Sequence, residues 1–234
     1  MAHLAEGLSF WVMGYGDMGE MNKNGLKEIP SFEEVVKILE ELYQMEEVKN
    51  SRPKTPKRIF ERIRELLKNQ VLVEKLRSLD LNVQDTEENV QKLLDTCFRL
   101  YFSVGCDSFF VLHAVTSSRA LKTVLRYLRS HNQQVEDLGA INCLWRALLI
   151  VLIVLETPPV DEHKSILPLR EDWDSIVQTL LKQDRDAHIV KIIYVAREEE
   201  EERRERNGQN TWIDDQNFYI NVAKEALGVE KFVR

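Results

Sequence analysis

Three histidines and one lysine lie in apolar, helix-like segments, where such side chains can act as metal ligands or acid–base groups. His113 lies in the run FFVLHAVT, and His188 and Lys191 are three residues apart in DAHIVKII. Residues at this spacing share one face of a helix, so His188 and Lys191 are predicted to project together. His3 opens a partly apolar segment and has Glu6 three residues later. A histidine and a carboxylate at that spacing can bind a metal ion.

Lys191 has two interpretations. On a partly apolar helix face its side chain either extends to water or is held in a pocket where desolvation favours the neutral amine. A neutral amine can act as a base, form a carbinolamine with a carbonyl compound, or take up carbon dioxide as a carbamate, which is an anionic metal ligand. Both interpretations stay open, because the helix becomes polar one turn after Lys191.

The histidines also have simpler interpretations. A buried His113 must be hydrogen-bonded, and a neighbouring backbone carbonyl or the hydroxyls of Thr116 and Ser117 on the same helix face would satisfy it. His131 and His163 lie in polar sequence beside turns and are predicted to be surface residues.

The chain is predicted to be all-α, a multi-helix bundle-like globular domain with long central buried helices. It has 9 Gly and 6 Pro in 234 residues, and no segment alternates apolar and polar residues as a half-buried strand does. Ser31 and Glu34 form a capping-box pattern at a helix start. Asp172 and either Asp184 or Asp186 are predicted to begin two later helices. The main predicted helices cover residues 71–79, 108–129, 135–155, 173–182 and 218–227, within a single domain spanning residues 1–234.

Three further segments carry structural predictions. Residues 147–155 form the longest apolar run. This run is too short for a membrane span, which needs about 20 residues, so residues 135–155 are predicted to form a fully buried helix. Residues 49–56 contain two prolines and are predicted to be a linker. The acidic run at residues 198–202 is predicted to be a solvated helix end.

Charge and cysteine content argue against several classes of protein. The net charge is −7 and no basic stripe is present, so a nucleic-acid partner is not expected. Cys97, Cys106 and Cys143 have no CxxC spacing and suit packed thiols in a reducing compartment. The N-terminus lacks a signal-peptide pattern, so a cytoplasmic protein without a membrane partner is expected. The segment GYGDMG at residues 14–19 matches GxGxxG, but no strand precedes it, and it is interpreted as a loop.

Three segments in order carry a resemblance to a known family. FFVLHAVTSSRALKTVLRYL at residues 109–128 resembles a helix of the questin oxidase-like family that contains an LHxVT stretch. DWDSIVQTLLKQDRDAHIVKII at residues 172–193 is similar to that family's C-terminal D-x-H-x-x-K signature, and HLAEGLSFW at residues 3–11 is similar to an earlier family segment. The resemblance covers most of this chain but only the later part of a family member. It therefore implies an N-terminally truncated form, lacking a family histidine in an N-H-x-x-M-like motif.

The resemblance implies an oxidoreductase that cleaves an aromatic or polyketide-like ketone with oxygen, by a Baeyer–Villiger-type or dioxygenase reaction. It also implies a non-haem iron site, with His3, His113 and His188 as histidine ligands. Lys191 would be a carboxylated lysine ligand, and Lys191 and His188 are the expected catalytic residues. Fe(II) is the cofactor that the resemblance implies, without haem, and whether NADPH is also used stays open. A small molecule is the expected partner. Asp184, four residues before His188, can orient the second ring nitrogen of His188, and capping the helix is the simpler role for Asp184.

A non-catalytic helical binding or scaffold protein is the alternative. Geometry discriminates between the two: convergence of His3, His113, His188 and Lys191 around a void favours the enzyme, and separate placements favour the scaffold. The sequence gives no indication of oligomeric state.

Overall fold

The fold is helical throughout the residues that the computed structural model describes, which are 20–51, 59–84, 86–132, 137–155, 164–166, 172–205, 213 and 217–229. These ranges contain ten helices and no β-strand, apart from a single bridge between Leu26 and Leu81. The all-α prediction is therefore confirmed. The helices are α1 (Phe32–Gln44), α2 (Glu46–Ser51), α3 (Ile59–Leu66), α4 (Gln70–Ser78), α5 (Thr86–Ser103), α6 (Phe109–Ser130), α7 (Asp137–Leu155), α8 (Trp173–Leu181), α9 (Ala187–Glu205) and α10 (Phe218–Gly228).

Side-chain caps begin these helices where the sequence predicted them. Ser31 accepts a hydrogen bond from the Glu34 amide at 3.2 Å, and Glu34 accepts one from the Ser31 amide at 2.7 Å. Asp172 accepts a hydrogen bond from the Ser175 amide at 2.9 Å and starts α8. Each of these bonds satisfies an amide that has no partner within the first helical turn.

The predicted linker at residues 49–56 is wrong in its first part, because Glu46–Ser51 is the helix α2. The prolines that suggested a linker stand only at positions 53 and 56. Glu46 and Glu47 occupy the first turn of α2, where negative charge favours a helix. Residues 52–58 lie outside the described residues.

Helix α7 forms the centre of the fold. Residues 141–154 are all buried, and α7 packs against α1, α3, α5 and α6. Among the described segments it alone is long and apolar enough to cross a membrane, over Leu138–Leu155 with a mean hydropathy of 2.3, yet 78% of that window is buried inside the fold. The apolar stretch is longer than the sequence suggested, because Arg146 interrupts it in the sequence but is itself buried. The prediction of a buried helix is confirmed for residues 141–154, whereas residues 138–140 and Leu155 are half-buried.

A buried ion pair ties α7 to the segment that follows α4, which in turn holds the loop that precedes α1. Arg146 donates two hydrogen bonds of 2.7 Å to Asp80, and neither residue is more than 2% exposed. Asp80 also accepts the Asn22 amide at 2.8 Å through its side chain and the Leu26 amide at 2.6 Å through its carbonyl. Gly25 lies so close to Asp80 that a Cβ on Gly25 would lie 1.9 Å from the carbonyl oxygen of Asp80. Only glycine fits there without a backbone shift.

The three cysteines, Cys97, Cys106 and Cys143, are buried free thiols. Burial raises the pKa of Cys97 to about 12, so its thiol stays protonated. The cysteines are packed as small groups, as predicted.

Helices α6 and α9 position the candidate site. Helix α6 packs against α5, α7 and α9, and α9 packs against α6 and α10. Contacts between α6 and α9 advance in the same direction along both helices, from His113 beside His188 to Arg126 beside Glu202. The two helices therefore run parallel and begin at the same end of their interface.

Candidate functional site

His113 and His188, two of the predicted ligands, lie side by side where α6 and α9 begin. Their ring centroids are 5.2 Å apart. Phe109, the first residue of α6, contacts both rings, with its centroid 4.3 Å from that of His113 and 4.9 Å from that of His188. The parallel packing of α6 and α9 thus brings together two imidazoles that are far apart in the sequence.

The His113 ring is anchored to its own helix. His113 is 8% exposed, and its Nδ1 lies 2.7 Å from the carbonyl oxygen of Phe109, one turn earlier. A carbonyl oxygen can only accept, so Nδ1 donates and the lone pair of the neutral ring is on Nε2. The Thr116 hydroxyl donates to the backbone carbonyl of His113 at 3.2 Å. The hydrogen bond to a backbone carbonyl that is expected of a core histidine is present. It also leaves the ring in the form that can bind a metal ion through Nε2.

The His188 ring is anchored by a carboxylate. Its Nδ1 lies 2.6 Å from Oδ1 of Asp186, and the same oxygen accepts the backbone amide of His188 at 2.8 Å. The sequence-based assignment of Asp184 to this role is wrong, and Asp184 is exposed. Asp186 has the role because it immediately precedes α9, where its side chain folds back over the first helical amides.

Lys191 lies one turn after His188 on α9 and is half-buried. Its spacing places it on the same helix face as His188. In the described part of the chain, no three His, Cys, Asp or Glu side chains form a metal-binding group. The two imidazoles are therefore the part of the predicted ligand set that the described residues bring into contact.

The other histidines are separate from this pair or outside the described residues. His131 is exposed at the end of α6, where its Nδ1 lies 2.8 Å from the carbonyl oxygen of Tyr127. The prediction that His131 is a surface residue is confirmed. The predicted ligand His3 and the predicted surface residue His163 lie outside the described residues.

A partly buried ionic cluster follows the histidine pair along the same α6–α9 interface. We call Arg119, Lys122, Arg126, Glu199 and Glu202 the ionic cluster. Lys122 is 3% exposed and lies 2.8 and 2.7 Å from the two carboxylate oxygens of Glu199, which is 2% exposed. Arg119 bonds both Glu199 and Glu202, and Arg126 bonds Glu202 at 2.7 Å. These pairs tie α6 to α9 in the register that places the two histidines together.

The ionic cluster overturns the prediction that residues 198–202 are a solvated helix end. Glu199 and Glu200 are 2% and 3% exposed. A signal for this was present, since Ile192, Ala196 and Glu199 recur at helical spacing on one buried face. The cations that make burial of Glu199 tolerable lie on α6, however, and the acidic segment by itself does not reveal them.

The ionic cluster also predicts a specific acid sensitivity. Burial opposes ionisation of Glu202, but hydrogen bonds from Arg126, Lys122 and Arg119 and the charge of Lys122 outweigh it and lower the pKa of Glu202 from 4.5 to about 2. A depressed carboxyl pKa contributes stability that is fully present above the unfolded-state value. This contribution is expected to be lost as the pH falls from about 4.5 to about 2.

Glu202→Gln tests this expectation by urea unfolding across that pH range. The free-energy difference between wild type and Glu202→Gln should be largest above pH 4.5 and shrink towards zero near pH 2. Glu201→Gln, at an exposed position on the same helix, is the control and should show no such convergence. A wild type and Glu202→Gln variant that differ equally at every pH would contradict the role of Glu202.

Residues 2–196 match the family model described as Questin oxidase-like. The matched span includes the histidine pair, Asp186 and Lys191. No curated protein matches the chain.

Proposed function

This chain belongs to the questin oxidase-like family, and we propose that it is an oxygen-dependent oxidoreductase acting on an aromatic or polyketide-like ketone at a non-haem iron site. Membership of the family supports an oxidoreductase-like function in general. The iron, the reaction with oxygen and the substrate class are the proposal. His113 and His188 are the residues at its centre.

The proposal rests mainly on one observation, the meeting of the two imidazoles at a centroid distance of 5.2 Å. This distance is short enough for both rings to bind a single ion through nitrogens about 2.1 Å from it. In each ring Nδ1 is engaged, by Phe109 in one and by Asp186 in the other. Histidines that bind a metal ion through one ring nitrogen typically donate a hydrogen bond from the other nitrogen. The donor set therefore fits iron(II).

Lys191 and His3 would add to the ligand set, which lacks the family histidine of the N-H-x-x-M-like motif. The ε-amine of Lys191, when neutral, can add to carbon dioxide and release a proton, which gives an anionic carbamate oxygen on the same face as His188. Imidazole nitrogens with an anionic oxygen suit iron(II) and similar divalent ions. His3 would supply a third imidazole.

Bound iron would supply a place where oxygen and an enolate or phenolate substrate meet. The chain's own residues would prepare that place. Phe109 packs against both imidazoles and would place an apolar ring beside a flat aromatic substrate. The carbonyl of Phe109 and the carboxylate of Asp186 hold the Nδ1 protons of the two rings.

The electron balance separates the two candidate reactions. A Baeyer–Villiger-type reaction inserts one oxygen atom beside the ketone carbon and reduces the other to water, so it consumes one NADPH and one proton for each oxygen molecule. A dioxygenase reaction puts both atoms into the product and consumes no NADPH. Measuring oxygen uptake and NADPH oxidation together on a panel of aromatic ketones distinguishes these outcomes.

Iron binding by the purified chain tests the proposal directly. Wild-type protein loaded anaerobically with Fe(II) should retain iron, and His113→Ala and His188→Ala should each weaken retention at least about tenfold, since each loses a ligand. His131→Ala removes an exposed histidine and should behave as wild type. No iron in the wild type, or equal iron in all four proteins, would contradict the iron site and favour a non-catalytic helical binding protein.

A further inference from the structure

One oxygen of the Asp186 side chain makes two contacts with His188. Oδ1 accepts the backbone amide of His188 at 2.8 Å and faces the Nδ1 atom of the same residue at 2.6 Å. The carbonyl oxygen of Asp186 accepts the Ile189 amide at 2.9 Å, which begins the hydrogen bonding of α9. Asp186 therefore caps the helix and holds the imidazole with the same carboxylate.

We infer that Asp186 is a positioning residue, which fixes His188 as the Nδ1–H tautomer and so makes Nε2 its metal-binding atom. An ionised carboxylate accepts hydrogen bonds but donates none, so the ring hydrogen is on Nδ1. The inference deepens the proposed function and rests on it for the role of Nε2. The tautomer itself does not depend on any metal.

The capping bond makes this contact more than a surface ion pair. The side chains of Asp186 and His188 are 41% and 20% exposed, and exposed pairs between long, mobile side chains hold little fixed geometry. Here the partners are two residues apart, and the bond from the His188 amide already orients the carboxylate. Little additional order is needed to hold the ring.

The two rings of the pair have different anchors. The His113 Nδ1 donates to a neutral backbone carbonyl, whereas the His188 Nδ1 donates to a carboxylate. A hydrogen bond to a carboxylate is charge-assisted and therefore stronger than one to a neutral carbonyl. The Nδ1–H orientation is therefore held more firmly in His188 than in His113, and Asp186 sets that difference.

The first measurement is made without metal. Long-range proton–nitrogen NMR of the histidine rings should report the Nδ1–H form for His188 in the wild type. It should report the same form in Asp186→Asn, whose side-chain oxygen still accepts, and a mixture of tautomers in Asp186→Ala. Asp172→Ala is the matched control, because Asp172 caps α8 through the Ser175 amide. It should lower stability as Asp186→Ala does, yet leave the His188 tautomer unchanged.

The second measurement uses Co²⁺ alone, as a spectroscopic substitute for iron(II). Asp186→Ala should bind Co²⁺ about 10- to 100-fold more weakly than wild type, the effect typical of losing an outer partner of a ligand. Asp186→Asn should lose less Co²⁺ affinity than Asp186→Ala, and Asp172→Ala should bind Co²⁺ as tightly as the wild type. An unchanged tautomer in Asp186→Ala overturns the positioning role. If the tautomer changes in Asp186→Ala but the wild-type protein binds no Co²⁺, the positioning role is upheld and the proposed metal site is overturned.

Discussion

Glu199→Ala is expected to lower the free energy of unfolding by about 3–5 kcal/mol, because it leaves the ammonium of Lys122 and the guanidinium of Arg119 short of a partner inside the fold. Lys122 is 3% exposed and makes both of its shortest contacts, 2.8 and 2.7 Å, with Glu199. Gln91 also donates to Glu199 at 3.1 Å. Urea or thermal unfolding at neutral pH measures the loss.

The same helix offers a matched control for Glu199. Glu201 belongs to the same acidic run but has a 52% exposed side chain, paired with Arg197 at 2.9 Å. Glu201→Ala should change the free energy of unfolding by less than about 1 kcal/mol. Equal effects at the two positions would mean that the ionic cluster does not stabilise the α6–α9 interface.

A double-mutant cycle isolates the pair within the ionic cluster. Lys122→Ala and Glu199→Ala each leave a buried charge behind, whereas the double variant removes both. The loss in free energy of unfolding of the double variant should therefore be smaller than the sum of the two single losses, by about 1–3 kcal/mol. Additive effects would show that Lys122 and Glu199 are not coupled.

Asp80→Asn is expected to destabilise the protein by a similar amount, about 3–5 kcal/mol, although it changes the side-chain volume very little. Asp80 is fully buried and accepts two hydrogen bonds of 2.7 Å from Arg146, which is 2% exposed. The amide of an asparagine supplies no countercharge and can accept through one oxygen only. The guanidinium is then left buried beside α4 and α7 without its negative partner.

Two further variants test the interpretation of Asp80. Adding Arg146→Met to Asp80→Asn removes the stranded charge and should restore part of the lost stability. Glu41→Gln breaks an exposed ion pair with Lys75 at 3.3 Å and should cost less than about 1 kcal/mol. If Asp80→Asn were as mild as Glu41→Gln, the buried pair would not be what ties the loop before α1 to the core.

The residues of the candidate site could be recognised from the sequence only in part. His113 and His188 stood out because they interrupt apolar segments, and the spacing of His188 and Lys191 placed both on one helix face. The partner of the His188 ring was predicted wrongly as Asp184, because Asp184 and Asp186 both suited a helix start. The observed start of α9 at Ala187 gives the role to Asp186, since the capping residue is the one next to the first turn.

The sequence by itself determined the features that depend on neighbours along the chain. The capping patterns of Ser31 and Asp172, the scarcity of glycine and proline, and the apolar periodicity were enough to predict an all-α protein with a buried α7, because these interactions are local. Only the tertiary structure decided that His113 meets His188, that Glu199 is buried against Lys122, and that Arg146 turns inward to Asp80. Each of these contacts joins segments far apart in sequence, and the register and direction in which the helices pack determine which side chains face one another.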